Sequence, residues 1–303
     1  MNGIVTPPIA AVPFSLTGLR CELGECVHWD ADAARLLWTD IEGRCLYAWT
    51  PASGDVRRWA MPSRLACFAL GKQPGRLLLG LERSLASFDL ETAVLTELCQ
   101  LPIGAGLRIN DGRCDRAGNF VFGLKNERDR SPRESFWRYT AAGDLQPLAL
   151  PPVVITNSLC FSADGTRIHF ADSLDSRMRC ADYDAVLGRV SAVRPFGPHF
   201  GAGVEPDGAV VDSEDGVWCA LWGGSRVVRL DARGRISDEY MLPVSLPACP
   251  GFGGAALERL YVATARAFLP PDLQRREPLA GAMLELRIPG LRGLAETRFG
   301  GAL

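Results

Sequence analysis

The chain has 303 residues, of which 47% are hydrophobic and 22% are charged, and its formal net charge is −2. This composition is typical of a globular protein and excludes extended disorder. The near-neutral charge offers no electrostatic basis for nucleic-acid binding. No segment approaches the ~18 consecutive apolar residues of a membrane span, and the N-terminal stretch lacks the basic start of a signal peptide. We therefore expect a cytoplasmic protein without nucleic-acid or membrane partners.

Ten cysteines are distributed along the chain, and none forms a C-x-x-C pair. This pattern argues against a zinc knuckle or a thioredoxin-type redox site. Without an export signal, we interpret them as buried, unpaired thiols. They are Cys21, Cys26, Cys45, Cys67, Cys99, Cys114, Cys160, Cys180, Cys219 and Cys249.

Six short runs of strand-forming residues recur along the chain. When one residue of each run is taken as a mark, the successive steps are 41, 43, 48, 49 and 43 residues. Periods of about 40–50 residues with four strands per unit are typical of β-propeller blades. The marks are Leu37, Leu78, Val121, His169, Trp218 and Tyr261, in the runs LLWTD, RLLLGL, FVFGL, IHFAD, VWCALW and LYVATA.

Turn residues surround most of these runs, as in DADAAR, DRAGN, SADGT and DSEDG. Turns at such spacing indicate a meander of short antiparallel strands. Two stacked β-domains would share these signals, but six evenly spaced units favour one closed ring. We predict an all-β fold, a six-bladed β-propeller, as a single domain over residues 1–303. The segment Val12–Leu19 is expected to close the ring against Met283–Ile288, because exchange of a terminal strand protects an exposed sheet edge.

Histidine-based catalysis has little support in the sequence. His28 and His169 lie at or within predicted strands, and His199 lies in a loop rich in glycine and proline. No G-x-S-x-G elbow, H-E-x-x-H motif or phosphate-binding loop is present. We expect the three histidines to be packing or surface residues.

Acidic and amide side chains just outside predicted strands are stronger candidates. A part-buried carboxylate or amide needs a partner, and a hard divalent cation suits oxygen ligands of this kind. Asn and Asp also simply shape turns, and no single motif decides between these interpretations. The residues are Glu25, Asn110, Asp111, Asn157 and Asp207.

Five segments carry a family resemblance when they are taken in order. They are LGECVHWD with LLWTDIEGRCLYAW, RINDGRCDRAGNFVFG, ITNSLCFSADGTRIHFADS, EPDGAVVDSEDGVWCALWGGSRVVRLDARG and FGGAALERLYVATAR. Together they resemble the regucalcin/gluconolactonase (senescence-marker-protein) family from about Leu19 to Leu286. The resemblance implies a six-bladed β-propeller with a metal site at the mouth of the central channel. It also implies metal-dependent hydrolysis of a sugar aldonolactone to the aldonate.

The resemblance assigns roles to individual residues of this chain. It implies that Glu25, Asn157 and Asp207 hold one divalent ion, whether calcium, zinc, manganese, magnesium or iron, and that Arg108 and Asn110 face the substrate. Three protein ligands leave coordination positions open, as catalytic sites require. Such an ion would polarise the lactone carbonyl, and Asp207 is our candidate general base.

Two departures from the family pattern lie beside the implied ligands. Cys26 and Val27 replace Gly-Pro after Glu25, and Ser158 replaces Gly after Asn157. The loop backbones are therefore expected to differ from the family pattern. Cys26 would favour softer ions if it reached the metal, although adjacent side chains in a strand usually point to opposite sides.

The variable segment after FVFG reads LKNER in this chain. Lys125, Asn126 and Glu127 either line the pocket and set the sugar preference or only cap a loop, and Glu127 is our candidate substrate-binding residue among them. Trp222, which we take to end an inner strand, either packs in the core or stacks on a sugar ring.

Two other functions stay open at this point. Related propellers hydrolyse organophosphate-type esters, and the same metal cup would accept a phosphoryl oxygen. The other alternative is a non-catalytic calcium-binding propeller. The sequence does not identify the lactone or the metal.

Overall fold

The computed structural model describes residues 18–303 and the backbone pairing of Val12 and Pro13. Its strands form six four-stranded antiparallel sheets. The innermost strands of neighbouring sheets contact one another around a ring, and the sixth contacts the first. The predicted six-bladed β-propeller is therefore confirmed.

Strand numbering follows the chain and begins at β1 (Val12–Pro13), which belongs to blade 6. Blades 1 to 3 each run from the channel outward in chain order. Their strands are β2 (Gly24–Asp30), β3 (Arg35–Asp40), β4 (Cys45–Trp49) and β5 (Val56–Ala60); β6 (Leu65–Leu70), β7 (Arg76–Leu81), β8 (Ser84–Asp89) and β9 (Leu95–Gln100); β10 (Leu107–Cys114), β11 (Phe120–Asn126), β12 (Phe136–Tyr139) and β13 (Leu145–Pro147).

Blades 4 to 6 follow the same plan, with β1 as the outermost strand of blade 6. Their further strands are β14 (Thr156–Phe161), β15 (Arg167–Asp172), β16 (Arg177–Asp184) and β17 (Arg189–Phe196); β18 (Glu205–Val211), β19 (Val217–Trp222), β20 (Arg226–Leu230) and β21 (Ile236–Met241); β22 (Pro247–Gly253), β23 (Arg259–Thr264) and β24 (Leu284–Arg287).

Both ends of the chain contribute to blade 6. Val12 lies opposite Glu285 and Pro13 opposite Leu284 in the antiparallel pair of β1 and β24. The predicted closure of the ring is confirmed at these two positions, while residues 14–17 of the predicted segment lie outside the described residues. Because β1 covers the edge of β24, blade 6 has the same four strands as the others.

The burial of the strands explains the periodic pattern. The apolar runs that marked the repeat are the second strands of the blades, and they are sandwiched between neighbouring sheets. Strands covered on both faces are continuously apolar rather than alternating. The outermost strands face solvent, and in β5 Trp59 is the one buried residue.

Helical structure is minor within residues 18–303. A 3₁₀ helix, η1 (Ser173–Asp175), follows β15, and a six-residue helix, α1 (Pro271–Arg276), lies in the connection between β23 and β24. No described helix has the length and apolar character needed to cross a membrane.

A β-bulge interrupts the pairing of every innermost strand with its neighbour. A bulge inserts an extra residue and redirects the side chains beside it. Four of these bulges immediately follow or contain residues predicted for the site. The bulges lie between Glu25 and His28, Leu65 and Cys67, Ile109 and Asp111, Asn157 and Cys160, Pro206 and Ala209, and Pro247 and Cys249.

The segment 289–303 runs across the end of the channel at which the innermost strands terminate. Its Gly293 forms a bridge with Asp212 of blade 5, and Phe299 pairs with Gly71 of blade 2. The Gly300 N–H donates a hydrogen bond to the Gly118 carbonyl of blade 3 at 2.8 Å. This end of the propeller is therefore covered by the chain itself.

Candidate active site

A cavity of about 260 Å³ opens at the opposite end, where the chain enters the innermost strands. This volume lies just below the usual range for small-molecule sites, so it suits a small ligand. The cavity has a polar floor, an apolar and aromatic wall, and charges of both signs. Its lining residues are Leu23, Glu25, Ile41, Asn110, Lys125, Arg130, Ile155, Asn157, Ser173, Glu205, Asp207, Trp222 and Phe268.

Glu25, Asn157 and Asp207 all line this cavity, although they come from three blades. Each is the second or third residue of its innermost strand, in β2, β14 and β18 respectively. The equivalent ends of these strands meet around the channel axis. A repeat architecture thus brings together side chains that lie 132 and 50 residues apart in sequence.

The two departures from the family pattern, at Cys26 and Ser158, lie at positions whose backbone geometry favours glycine. Cys26 has φ 50° and Ser158 has φ 57°, in the left-handed region that glycine prefers. Placing a non-glycine residue there costs roughly 1–2 kcal/mol. The turn expected of a Gly is therefore retained in both bulges, even though neither residue is a Gly.

The side chains of Cys26 and Ser158 tie each bulge to the next blade. Cys26 Sγ accepts a hydrogen bond from the Phe68 N–H of blade 2 at 3.2 Å. Ser158 Oγ donates to the Asp207 carbonyl of blade 5 at 2.6 Å. Cys26 is buried and does not line the cavity, so its thiol is not available as a ligand.

Gly208 follows Asp207 where β18 approaches blade 6. A Cβ atom at this position would lie 2.8 Å from both Cα and Sγ of Cys249. No side chain fits without displacing backbone. Glycine at position 208 is therefore required by the close packing of blades 5 and 6 beside Asp207.

The carboxyl groups on the cavity floor disfavour one another's ionisation. Burial, followed by the charge of Asp111, raises the pKa of Glu25 to about 8. Burial, followed by the charges of Glu25, Asp111 and Glu205, raises the pKa of Asp207 well above its usual value. Desolvation and like charges both destabilise the ionised form, whereas a nearby cation would stabilise it.

The protein itself provides little compensation for these two carboxylates. Within residues 18–303, Asp207 accepts no side-chain hydrogen bond and neither Asp207 nor Glu25 forms an ion pair. Glu25 receives hydrogen bonds from the Cys26 N–H and the Cys249 thiol. Asp111 differs, since it accepts from the N–H groups of Gly112 at 2.8 Å and Leu159 at 2.9 Å.

A chain of hydrogen bonds orients the Asn157 amide. Arg108 Nη1 donates to Asn110 Oδ1 at 2.9 Å, and Asn110 Nδ2 donates to Asn157 Oδ1 at 3.2 Å. Asn157 Nδ2 then donates to Ser173 Oγ at 2.8 Å. The Asn157 oxygen retains a second lone pair, because an amide oxygen accepts two hydrogen bonds.

Arg108 and Glu127 lie behind Asn110 and do not line the cavity. Arg108 is 2% exposed, and its Nε donates to Glu127 Oε1 at 2.9 Å. Arg64 Nη2 lies 2.9 Å from the other carboxylate oxygen of Glu127. Burial opposes ionisation of Glu127, but the Arg108 charge and the Arg64 hydrogen bond outweigh it and lower its pKa.

The variable segment LKNER divides into three roles. Lys125 lines the cavity. Asn126 caps the following loop, since its Nδ2 donates to Asp129 Oδ1 at 2.7 Å and its Oδ1 accepts from the Arg128 N–H at 3.1 Å. Glu127 forms the ion pairs described above. Lys125 therefore lines the pocket and Asn126 caps a loop, while the role of this segment in sugar preference stays a prediction.

Seven lining residues had not been identified in the sequence as site residues, and four of them are polar or aromatic. Arg130 lies in the loop after β11, Ser173 begins η1, and Phe268 lies in the connection after β23. Glu205 begins β18, two residues before Asp207, and this i, i+2 spacing is the one sequence signal that would have found it. Loops without a repeat pattern give no such signal.

Trp222 ends β19, which is a second strand and not an innermost one, so our prediction of its strand was wrong. Its side chain still reaches the cavity because antiparallel pairing brings the end of each second strand to the same mouth. The Trp222 and Phe268 rings pack edge to face with centroids 5.6 Å apart. Phe268 is 53% exposed, which is unusual for a large aromatic side chain.

None of the three histidines or ten cysteines lines the cavity. His28 and His169 are buried core residues and His199 is exposed in a loop, as expected. All ten cysteines are free and nine are buried. Within residues 18–303, no three His, Cys, Asp or Glu side chains form a metal-binding group. A metal at the cavity floor would therefore depend on the Asn157 amide beside two carboxylates.

Comparison with known proteins agrees with the motifs. The family model of the SMP-30/Gluconolactonase/LRE-like region matches residues 23–266, which include the whole polar floor of the cavity. The chain belongs to this family. The resemblance inferred from the five sequence segments is thus confirmed.

The similarity to known relatives covers nearly the full length of the chain. An L-arabinolactonase of Azospirillum brasilense is 40% identical, covering 94% of this chain and 95% of the relative. A 6-deoxy-6-sulfogluconolactonase of Pseudomonas putida is 32% identical, covering 92% and 95%. The crystal structure of a calcium-binding regucalcin from Agrobacterium tumefaciens superposes with a TM-score of 0.89 at 28% identity, covering 97% and 99%.

Proposed function

We propose that this protein hydrolyses a sugar aldonolactone to the aldonate, with one divalent cation held by Glu25, Asn157 and Asp207. The observation that carries the proposal is the meeting of these three oxygen donors, from three blades, on the floor of one small cavity. The enzyme class rests on relatives: the chain is a lactone-hydrolysing enzyme, as two lactonases at 40% and 32% identity over more than nine-tenths of its length indicate.

The donor set fits a hard divalent cation. Two carboxylates and an amide oxygen are the ligand types that such ions prefer. Both carboxylates are destabilised by burial and mutual repulsion and have no ion-pair partner in residues 18–303, so a cation would relieve an existing electrostatic penalty. When bound, the cation supplies Lewis-acid polarisation of the lactone carbonyl.

The protein residues account for the other steps. Asp207 is the candidate general base that takes a proton from the attacking water, because its carboxylate is free of hydrogen bonds within the described chain. Asn110 lines the cavity and offers a polar contact for the substrate, while Arg108 and Glu127 hold it in place. In this arrangement Arg108 and Glu127 are positioning residues for Asn110.

The wall of the cavity suits a sugar ring. Trp222 and Phe268 present aromatic faces and edges beside Ile41 and Ile155. Aromatic side chains bury the apolar faces of a ring while the polar floor orients its oxygens. The cavity size favours a monosaccharide lactone, and L-arabinolactone is the first substrate to test because of the 40% identical relative.

The test is a panel of esters assayed with the metal-stripped protein to which Ca²⁺, Mg²⁺, Mn²⁺, Zn²⁺ or Fe²⁺ is returned singly. Acid release from L-arabinolactone, gluconolactone and 6-deoxy-6-sulfogluconolactone is followed with a pH indicator, alongside a phosphotriester. Turnover of a lactone that requires metal and is absent for the phosphotriester supports the proposal.

Two results would replace the proposal with another function. Faster hydrolysis of the phosphotriester would assign organophosphate-type esterase activity to the same cavity. Tight Ca²⁺ binding, measured by calorimetry, without turnover of any ester would assign a calcium-binding role. Asp144→Asn, on an exposed turn of blade 3, serves as a control for nonspecific effects of losing a carboxylate.

A further inference from the structure

The chain contains two lysines among its 33 Lys and Arg residues, and they lie in contrasting places. Lys72 is exposed on a turn between β6 and β7. Lys125 is part-buried near the end of β11 and lines the active-site cavity. Since lysine is rarely buried without a partner, the position of Lys125 calls for an explanation.

The backbone of Lys125 is fixed on both sides. It pairs with Arg108 of β10, and it forms a bridge with Ile155, which precedes blade 4. The residue therefore sits at the junction of two blades, where its main chain has little freedom. Its side chain lines the same cavity as Asn110 and Asp207, and the charge of Asp207 acts on it.

The Lys125 ammonium has no hydrogen bond and no ion pair with any residue in the range 18–303. Glu127, the nearest carboxylate in sequence, is bound by Arg108 and Arg64 instead. Burial, with the charge of Arg108, lowers the pKa of Lys125, while Glu127 and Asp207 act on it favourably. A desolvated cation with unused donors is a binding group for an anion.

The chemistry of lactone hydrolysis supplies such an anion. Water adds to the carbonyl carbon and gives a proton to the base, and the carbonyl electron pair moves to oxygen. The ring C–O bond then breaks and the ring oxygen takes a proton, which leaves a hydroxy acid that ionises to the aldonate and a proton. The neutral lactone carries no charge, whereas the intermediate and the product do.

We infer that Lys125 contacts the substrate and stabilises the negative charge that develops on it, in addition to the cation at the cavity floor. The inference rests on the proposed lactonase function. A fixed cation on the cavity wall binds the charged transition state more strongly than the neutral substrate, so it acts on kcat rather than on KM. Lys125 would also strengthen binding of the aldonate product.

The experiment compares three variants at saturating metal, on whichever lactone the wild type hydrolyses. Lys125→Met keeps the length of the side chain and removes the charge, Lys125→Arg keeps the charge, and Lys72→Met is the matched control on the surface. The readouts are kcat, KM, the inhibition constant of the aldonate, and thermal unfolding.

Removal of one donor to a developing oxyanion typically costs about 10²–10³-fold in kcat. We expect Lys125→Met to lower kcat by about 10²-fold with a smaller change in KM, and to weaken inhibition by the aldonate. Lys125→Arg should recover part of both effects, and Lys72→Met should behave as the wild type.

Three results would overturn the inference. Unchanged kcat and aldonate inhibition in a folded Lys125→Met variant would show that the lysine has no role in the chemistry. A loss of stability without any loss of kcat would make Lys125 a structural counter-charge for Asp207. A wild-type protein that hydrolyses no lactone would overturn the proposed function itself, and this inference with it.

Discussion

The two ends of the central channel differ in whether their buried ionisable groups have ion-pair partners. At the open mouth, Glu25 and Asp207 line one cavity, repel each other, and have no ion-pair partner in residues 18–303. At the covered end, Arg113 is 7% exposed and is ion-paired with Glu296 of the C-terminal segment. Arg113 Nη2 also donates to the Ala209 carbonyl at 3.1 Å.

This difference separates function from stability within one channel. Buried charges that a protein pairs internally are costly to break, whereas buried charges left unpaired destabilise the fold until a ligand arrives. The carboxyl groups at the mouth have no ion-pair partner in residues 18–303, whereas the Glu296 carboxylate at the covered end is paired with Arg113. Neutralising a carboxylate should therefore have opposite consequences at the two ends.

The largest expected effect is at the mouth. Asp207→Asn keeps the size of the side chain but removes the base, so we expect kcat to fall by about 10²–10⁴-fold even at saturating metal. Steady-state kinetics across a metal titration measure this deficit. Arg108→Ala provides the contrast: it removes a hydrogen bond that orients Asn110 and, through it, Asn157, so it should weaken metal affinity and lower kcat/KM while leaving the base in place. Recovery of near wild-type turnover by Asp207→Asn in excess metal would leave Asp207 with a ligand role alone.

The corresponding change at the covered end should act on stability. Glu296→Gln leaves Arg113 buried beside an uncharged partner, and we expect the free energy of unfolding to fall by roughly 3 kcal/mol. Denaturant unfolding measures this loss, and kcat below the transition should change little. Replacing both residues by apolar ones of similar size should restore much of the stability. If Glu296→Gln instead abolishes turnover under conditions where the variant is folded, the two ends of the channel are coupled.

Acid should destabilise the covered end through His28, which lies near Arg113 and Glu296. Burial lowers the pKa of His28 to about 4, against about 6.5 for an unfolded histidine. Between these values the unfolded chain binds a proton that the folded chain does not, so stability falls as the pH drops below 6.5.

We expect His28 to contribute about 2 kcal/mol to this loss between pH 7 and pH 5. The measurement is the difference in unfolding free energy at the two pH values, for the wild type and His28→Phe. Taking the difference cancels any pH-independent cost of the larger ring against Phe68, which lies 4.8 Å from His28 between ring centroids. An equally steep decline in His28→Phe would rule out this histidine as the cause.

The smallest effect is again at the mouth and has the opposite sign to that at Glu296. The pKa of Glu25 is raised to about 8, so stability is lost as the pH rises above the unfolded value of 4.5. Glu25→Gln should therefore stabilise the metal-free protein at pH 5, where the unfolded carboxyl is mostly ionised and the folded one is protonated, by on the order of 1 kcal/mol. Thermal unfolding measures this difference. The variant should be more stable than the wild type in chelator and less stable than the wild type with added metal. A variant less stable than the wild type in chelator would contradict this account of the mouth.

Much of the architecture could be predicted from the sequence because blades are local units. Each repeat carries its own turns and apolar strands, so the spacing of Leu37, Leu78 and the later marks predicts the number of blades. The convergence of Glu25, Asn157 and Asp207 follows once each is placed at the start of an innermost strand. Their role as ligands, the single domain over residues 1–303 and the cytoplasmic location stay predictions.

The sequence by itself determined the ring, the order of its strands and the positions from which polar side chains enter the channel, since these depend on short-range pattern. Only the tertiary structure decided which neighbours each side chain meets. It set Arg108 behind Asn110 rather than in the cavity, left Lys125 without a partner in residues 18–303, and brought Glu296 to Arg113 from 183 residues away. Such contacts join segments with no shared repeat pattern, so their energies depend on packing between blades, which local sequence does not encode.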